Sequence, residues 1–125
     1  MPYTAVLLNE ESRNRLLESA TVIAKEGMEI KCHHMTVDLK PISKSMAAHM
    51  AGREVELKVV RFGMLTIDGK AIMAAEVECE VPSKNTRKHV TIAHHPEIKP
   101  KMSNEIQEWV EVTPFTLYGT VQEVA

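Results

Sequence analysis

Lys31-Cys32-His33-His34-Met35-Thr36-Val37-Asp38-Leu39 is the stretch on which the reading turns, because Lys88-His89-Val90-Thr91-Ile92-Ala93 repeats its central pattern half a chain later. Each contains histidine, an apolar residue, threonine and a second apolar residue. In a β-strand alternate side chains share a face, so His34 lies beside Thr36 and His89 beside Thr91. Met35, Val37, Val90 and Ile92 then point the other way, into a core. If the two strands are sheet neighbours, two imidazoles and two hydroxyls line one cleft with near two-fold symmetry. Such a set suits a tetrahedral anion attacked from one side and expelled from the other, as a phosphodiester is.

Around these two strands the pattern predicts an α+β domain. Tyr3 to Leu8 is a short apolar run, read as a first strand buried on both faces. Asn9 is placed to cap a helix over about residues 10 to 26, with Glu10 and Glu11 in its first turn. Leu16, Leu17, Ala20, Ile23 and Ala24 recur along one face, and Gly27 follows its end. Pro41 closes the first histidine strand. Ser43 can cap a short helix to Ala51, a stretch equally suited to a lid. From Arg53 apolar and charged residues alternate; Asp68-Gly69 is a hairpin dipeptide, and Ala71 to Val81 is its partner strand. Asn104 and Gln107 resemble a capping box opening a helix with Ile106, Trp109 and Val110, and Phe115 to Val124 reads as a last strand. The order implies an antiparallel or mixed sheet with two similar halves around a cleft and helices packed outside.

The 125 residues suit a single domain spanning 1–125, and 44% hydrophobic with 26% charged residues is an ordinary globular composition. No apolar run approaches the roughly 18 residues of a spanning helix, and no basic region precedes an apolar block at the N-terminus, so a soluble, cytoplasmic protein is expected. Cys32 and Cys79 lack metal-type spacing and read as reduced thiols. A formal charge of −2 argues against sequence-blind capture of nucleic acid, and five aromatic residues give little stacking surface for a long strand. Charge is uneven, however: Lys84, Arg87, Lys88, Lys99 and Lys101 against Glu97 alone surround the second motif, a local field that would suit a small anion.

Histidine titrates nearest neutrality, so two imidazoles can hold opposite protonation states, one taking a proton while the other gives one. The neutral ring would activate water or a ribose hydroxyl and the charged ring would protonate the departing oxygen, each contributing roughly 10²–10⁴-fold in rate. Thr36 and Thr91 would donate to the non-bridging phosphoryl oxygens. This scheme requires neither metal nor cofactor. Which histidine is acid and which is base depends on the side of substrate entry and stays open. Lys84 and Lys101 are placed to reach the phosphate from flanking loops. Tyr3, Trp109 and Tyr118 are large enough to stack a nucleobase, and Cys32 shares the strand face of His34.

In its His34-Met35-Thr36-Val37 and His89-Val90-Thr91-Ile92 motifs the chain resembles the two-histidine (2H) phosphoesterase superfamily, marked by paired H-x-[ST]-x motifs on two central strands. The runs Pro82-Ser83-Lys84-Asn85 and Lys99-Pro100-Lys101-Met102-Ser103-Asn104 look like its short, RNA-repair variety. The resemblance implies a bilobal α+β sheet around a water-filled cleft. It also implies metal-free action on 2′,3′-cyclic phosphates, on 2′-5′ linkages at RNA ends, or on cyclic oligonucleotides of bacterial immune signalling. A small nucleotide or RNA terminus is then the expected partner, with no membrane and no extended nucleic-acid groove.

Two other readings compete. His33-His34 and His94-His95 invite a metal, although adjacent residues of a regular strand face opposite ways and would not converge on one ion. A non-catalytic nucleotide sponge would keep the cleft without turnover.

Overall fold

A computed structural model describes residues 2–20 and 27–125. Apolar Tyr3–Leu8 forms β1, with Ala5 and Val6 fully buried, as a strand covered on both faces requires. Asn9 accepts the Ser12 amide proton on Oδ1 (2.8 Å) and so caps α1, Glu10–Ala20, which buries Leu16 and Ala20. The expected continuation of this helix through Ile23 and Ala24 lies outside the described residues. Next come β2, Glu29–Ile30, and β3, His34–Asp38, then α2, Lys44–His49, capped by Ser43 Oγ at the Met46 amide (3.1 Å).

β4, Glu54–Ile67, buries Val55, Leu57 and Val59 and exposes Glu54, Glu56 and Lys58. Asp68 and Gly69 both have positive φ, 51° and 78°, which a two-residue hairpin turn of this hand demands. They lead into β5, Lys70–Glu78, which ends three residues before the expected Val81. β6, His89–His94, and β7, Glu108–Val124, complete the strands.

The helix expected from Asn104 does not form. Pro100 opens a 3₁₀ turn, Pro100–Glu105, and Asn104 Nδ2 donates back to the Lys101 carbonyl (3.1 Å) instead of capping a new helix. Trp109 and Val110 belong to β7, where Trp109 pairs with Gly63 of β4; a Cβ on Gly63 would lie 2.6 Å from the indole. β7 also begins well before Phe115. It passes Pro114 because its register on β4 shifts between the Phe115–Val59 and Glu111–Arg61 pairs, an irregularity at which the missing proline N–H costs little.

Of the antiparallel or mixed sheet expected from the sequence, the antiparallel form is present, and its strands join into one ring. β1 pairs β3 and β7, β7 pairs β4, β4 pairs β5, β5 pairs β6, and β6 returns to β3, a closed six-stranded barrel with β2 appended to β6. Its interior holds Val6, Met35, Leu57, Val59, Met73, Val90, Ile92, Leu117 and Val121. Among the described residues no helix is long and apolar enough to cross a membrane.

β1 and β7 approach each other closely: a Cβ on Gly119 would sit 2.6 Å from the Leu7 carbonyl oxygen. Backbone cannot swing aside as a side chain can. Gly119→Ala should therefore cost about 1–3 kcal/mol, read as a lower midpoint in urea with an unchanged slope.

Candidate functional site

The site is made where β2 breaks from β3 along the edge of β6. Glu29 pairs with His94 and Ile30 with Ala93, but Met35 pairs with Val90, so the first strand carries two more residues than its partner across this interval. Cys32, with φ of 47°, turns the chain there. Left-handed backbone at a non-glycine residue costs about 1–2 kcal/mol, and the surroundings hold it in place. The Lys31 and Cys32 amides donate to the Ile92 and Thr91 carbonyls (2.8 and 3.1 Å). Arg13 of α1 donates through Nε to the Cys32 carbonyl (3.1 Å) and through Nη2 to that of Lys31 (3.4 Å).

Carrying the Met35–Val90 register one residue each way sets His34 opposite Thr91 and Thr36 opposite His89. All four side chains line one cleft of about 620 Å³, with Tyr3, Arg13, Lys31, His33, Asn85, Lys101 and Asn104 among its other walls. Among the described residues three of its walls are cationic side chains, Arg13, Lys31 and Lys101, and none is a carboxylate. Exposed Leu39 and Ile30 supply apolar wall beside them.

Other residues singled out in the sequence lie elsewhere. Lys84 borders a separate groove with Asp38, Pro41 and Met46, where its backbone amide donates to the Val37 carbonyl (2.8 Å). Tyr118 sits on β7 opposite Glu56 and does not line the cleft. Trp109 is covered by the Arg87 guanidinium, 4.8 Å from its ring centroid. Cys32 does not share the cleft with His34: the turn at its own backbone sends it inward, its thiol donates to the Ile92 carbonyl (3.6 Å), and burial pushes its pKa up to about 11. Of the basic residues around the second motif only Lys101 reaches the cleft, since Arg87 bonds Glu76 (2.7 Å) and Lys88 donates to the Cys79 carbonyl (2.6 Å).

Three participants were not picked out as site residues. Arg13 stands three and four positions before Leu16 and Leu17, so it prolongs the apolar stripe of α1 toward the sheet, and that placement was the available signal. Lys31 carried no such signal. His33 was set aside because regular alternation puts it opposite His34. The Cys32 turn removes that alternation: the two rings stand edge to face, 5.2 Å apart, with their Nδ1 atoms 2.9 Å from one another. Adjacent histidines therefore do meet, but among the described residues no three His, Cys, Asp or Glu side chains form a metal-holding group.

The two motif histidines are held differently. His89 Nδ1 donates to the Arg87 carbonyl (2.8 Å), which leaves Nε2 without a proton in the neutral ring. His34 has His33 at its Nδ1 and Tyr3 at 5.3 Å between ring centroids. Burial, followed by the neighbouring His33 and His89, brings His34 down to about 4. Burial also lowers His89, against the raising effect of the Arg87 carbonyl. Both shifts favour the uncharged ring.

Thr91 is constrained as well. Ser103 Oγ donates to the Pro100 carbonyl (2.8 Å), so the 2.9 Å contact between the two hydroxyls uses the Thr91 proton. Thr91 must rotate its hydroxyl before it can donate to a ligand.

Comparison with family models, with curated proteins and with solved structures gave no match.

The depressed His34 pKa has a signed consequence for stability. Above the ordinary value of 6.5 neither the folded nor the unfolded ring is charged, and its contribution to folding is complete. As pH falls from 6.5 toward 4 the unfolded chain takes up the proton first, and this contribution is lost. The urea midpoint should fall over that interval, and less steeply in His34→Asn than in the parent chain.

Proposed function

We propose that the chain is a phosphodiesterase acting on a small nucleotide or RNA-terminal phosphodiester, such as a 2′,3′-cyclic phosphate or a cyclic oligonucleotide, by histidine acid and base catalysis. The observation that carries this reading is the register at Met35 and Val90, which sets an imidazole across from a hydroxyl twice over, in one open cleft. Arg13, Lys31 and Lys101 supply the positive field a phosphate anion needs.

One neutral imidazole removes a proton from water or a ribose hydroxyl as its oxygen bonds to phosphorus. The opposite imidazolium protonates the oxygen that leaves. Thr36 and, after rotation, Thr91 donate to the non-bridging oxygens, whose charge grows in the transition state. Substrate arrival favours the required charged ring, because an anion beside an imidazole raises its pKa. None of these steps uses a metal.

The test is incubation with 2′,3′-cyclic nucleotides, RNA ending in a cyclic phosphate, 2′-5′-linked dinucleotides and cyclic di- and trinucleotides, with chelator present, followed by chromatography. Turnover of at least one is expected, and His34→Ala and His89→Ala should each reduce it by roughly 10²–10⁴-fold with the circular dichroism spectrum unchanged. Full activity in either variant, or release of unaltered nucleotide from a tight complex, would sink the proposal, the second outcome favouring a sponge. Lys101→Ala should raise KM several-fold, whereas Lys84→Ala should leave it near the parent value.

A further inference from the structure

We propose that His33 and His34 act as one proton-holding pair whose charged form makes His34 the general acid, and that the Arg87 carbonyl makes His89 the general base. The use of the pair in catalysis rests on the phosphodiesterase reading; the arrangement of its protons rests on geometry alone. His33 is here a positioning residue, acting through its neighbour.

Two imidazoles offer four nitrogens, and two of these, His33 Nδ1 and His34 Nδ1, face each other at 2.9 Å. That separation accommodates one hydrogen, shared as a bond, and excludes two pointing at each other. With both rings neutral, two protons are available: one lies between the Nδ1 atoms and the other on either Nε2. With one proton added there is a single arrangement that keeps the bond, in which both Nε2 atoms are protonated. The charged pair therefore presents an Nε2–H from His34, whichever ring nominally bears the charge. A second added proton would break the bond and set two cations side by side. Both rings are lowered from the ordinary value: burial, then His33 and His89, acts on His34, and burial, then Arg13 and Lys31, acts on His33.

Across the cleft the opposite condition holds. His89 Nδ1 must keep its hydrogen to satisfy the Arg87 carbonyl at 2.8 Å, so its neutral ring has a bare Nε2. Arg87 is itself anchored, by Glu76 at 2.7 Å and by its stack on Trp109. The two-fold relation between the motifs is thus broken by what stands behind each ring, a carbonyl on one side and a second imidazole on the other.

His89 Nε2 takes a proton from the attacking water as its oxygen bonds to phosphorus. The bond from phosphorus to the leaving oxygen breaks, its electron pair stays on that oxygen, and the proton on His34 Nε2 passes to it. The pair returns to its two-proton form with the shared hydrogen still between the Nδ1 atoms, and solvent restores one proton to the pair and removes one from His89. The charged and titratable groups facing the pair are Tyr3 from β1, Arg13 from α1, Lys31 beside β2, His89 from β6 and Lys101 from the 3₁₀ turn. Among the described residues no carboxylate stands in the cleft walls, and the second imidazole does for His34 what an aspartate would otherwise do.

Two measurements test the assignment. The first is proton–nitrogen correlation spectra of histidine in the full chain from about pH 4 to 8, with and without inorganic phosphate. The first proton should move the nitrogen shifts of His33 and His34 together, with His34 Nε2 protonated, while His89 shows the Nδ1–H tautomer. In His33→Ala the His34 transition should move to a different pH. Independent titration of the two rings, or a His34 transition unmoved in that variant, overturns the pair whether or not the chain turns anything over. The second is the rate profile. On a 2′,3′-cyclic nucleotide, His33→Ala should lower kcat about tenfold or more and move its alkaline limb away from the parent pH, because the hydrogen bond that favours the charged pair and the neighbouring ring that disfavours charge on His34 are lost together. On a p-nitrophenyl nucleotide ester, whose leaving group needs no proton, His33→Ala and His34→Ala should each cost less than about tenfold and His89→Ala about 10²-fold or more. The reverse pattern overturns the assignment. A parent chain that cleaves no phosphodiester defeats the functional reading instead, and the spectra then decide the pair.

Discussion

The pairing of Met35 with Val90 is the constraint on which the rest depends. It is the registered pair that joins β3 to β6, and without that junction the sheet would be an open ribbon running from β3 to β6 by way of β1, β7, β4 and β5. Closure and the cleft have one origin, because the same register that seals the barrel sets each motif histidine across from the other motif's threonine. Met35 and Val90 are both fully buried. Their side chains fill the barrel while the residues on either side turn outward to the cleft, as strand alternation requires.

Much of this was legible in the primary structure. Period-two alternation located β4 and its hairpin, the apolar run located β1, and the His-x-Thr motifs located the strands that form the cleft. What alternation could not supply was its own interruption. Cys32 adopts a backbone conformation unusual for its residue type, and nothing in the surrounding composition announces it. His33, which regular geometry assigns to the far face, consequently joins the site. The segment after Pro100 failed for a related reason. Asn104 and Gln107 satisfied a local capping pattern, but Trp109 and the valines after it gain more by pairing with β4 over the bare backbone of Gly63. Barrel closure itself was not readable, since it depends on the register of strands far apart in the chain.

Electrostatics followed the same division. The basic segment around the second motif was visible by counting, yet ion pairs and backbone contacts engage Arg87 and Lys88 away from the cleft. The positive wall comes largely from elements adjoining the first motif instead, with Arg13 fastening the Cys32 turn while lining the cleft. Local charge density is thus a poor guide to where a field is directed once side chains have found partners.

A ring of strands also has no ends. In an open sheet the outermost strands offer unpaired amides and carbonyls on which another polypeptide can lay itself down, a route to fibrous association. Here each barrel strand is flanked on both sides, and among the described residues the only terminal strand of the sheet is β2, Glu29–Ile30. Two residues, one of them charged, make a poor template. The geometry that gathers the histidines therefore also shields the folded chain from edgewise self-association.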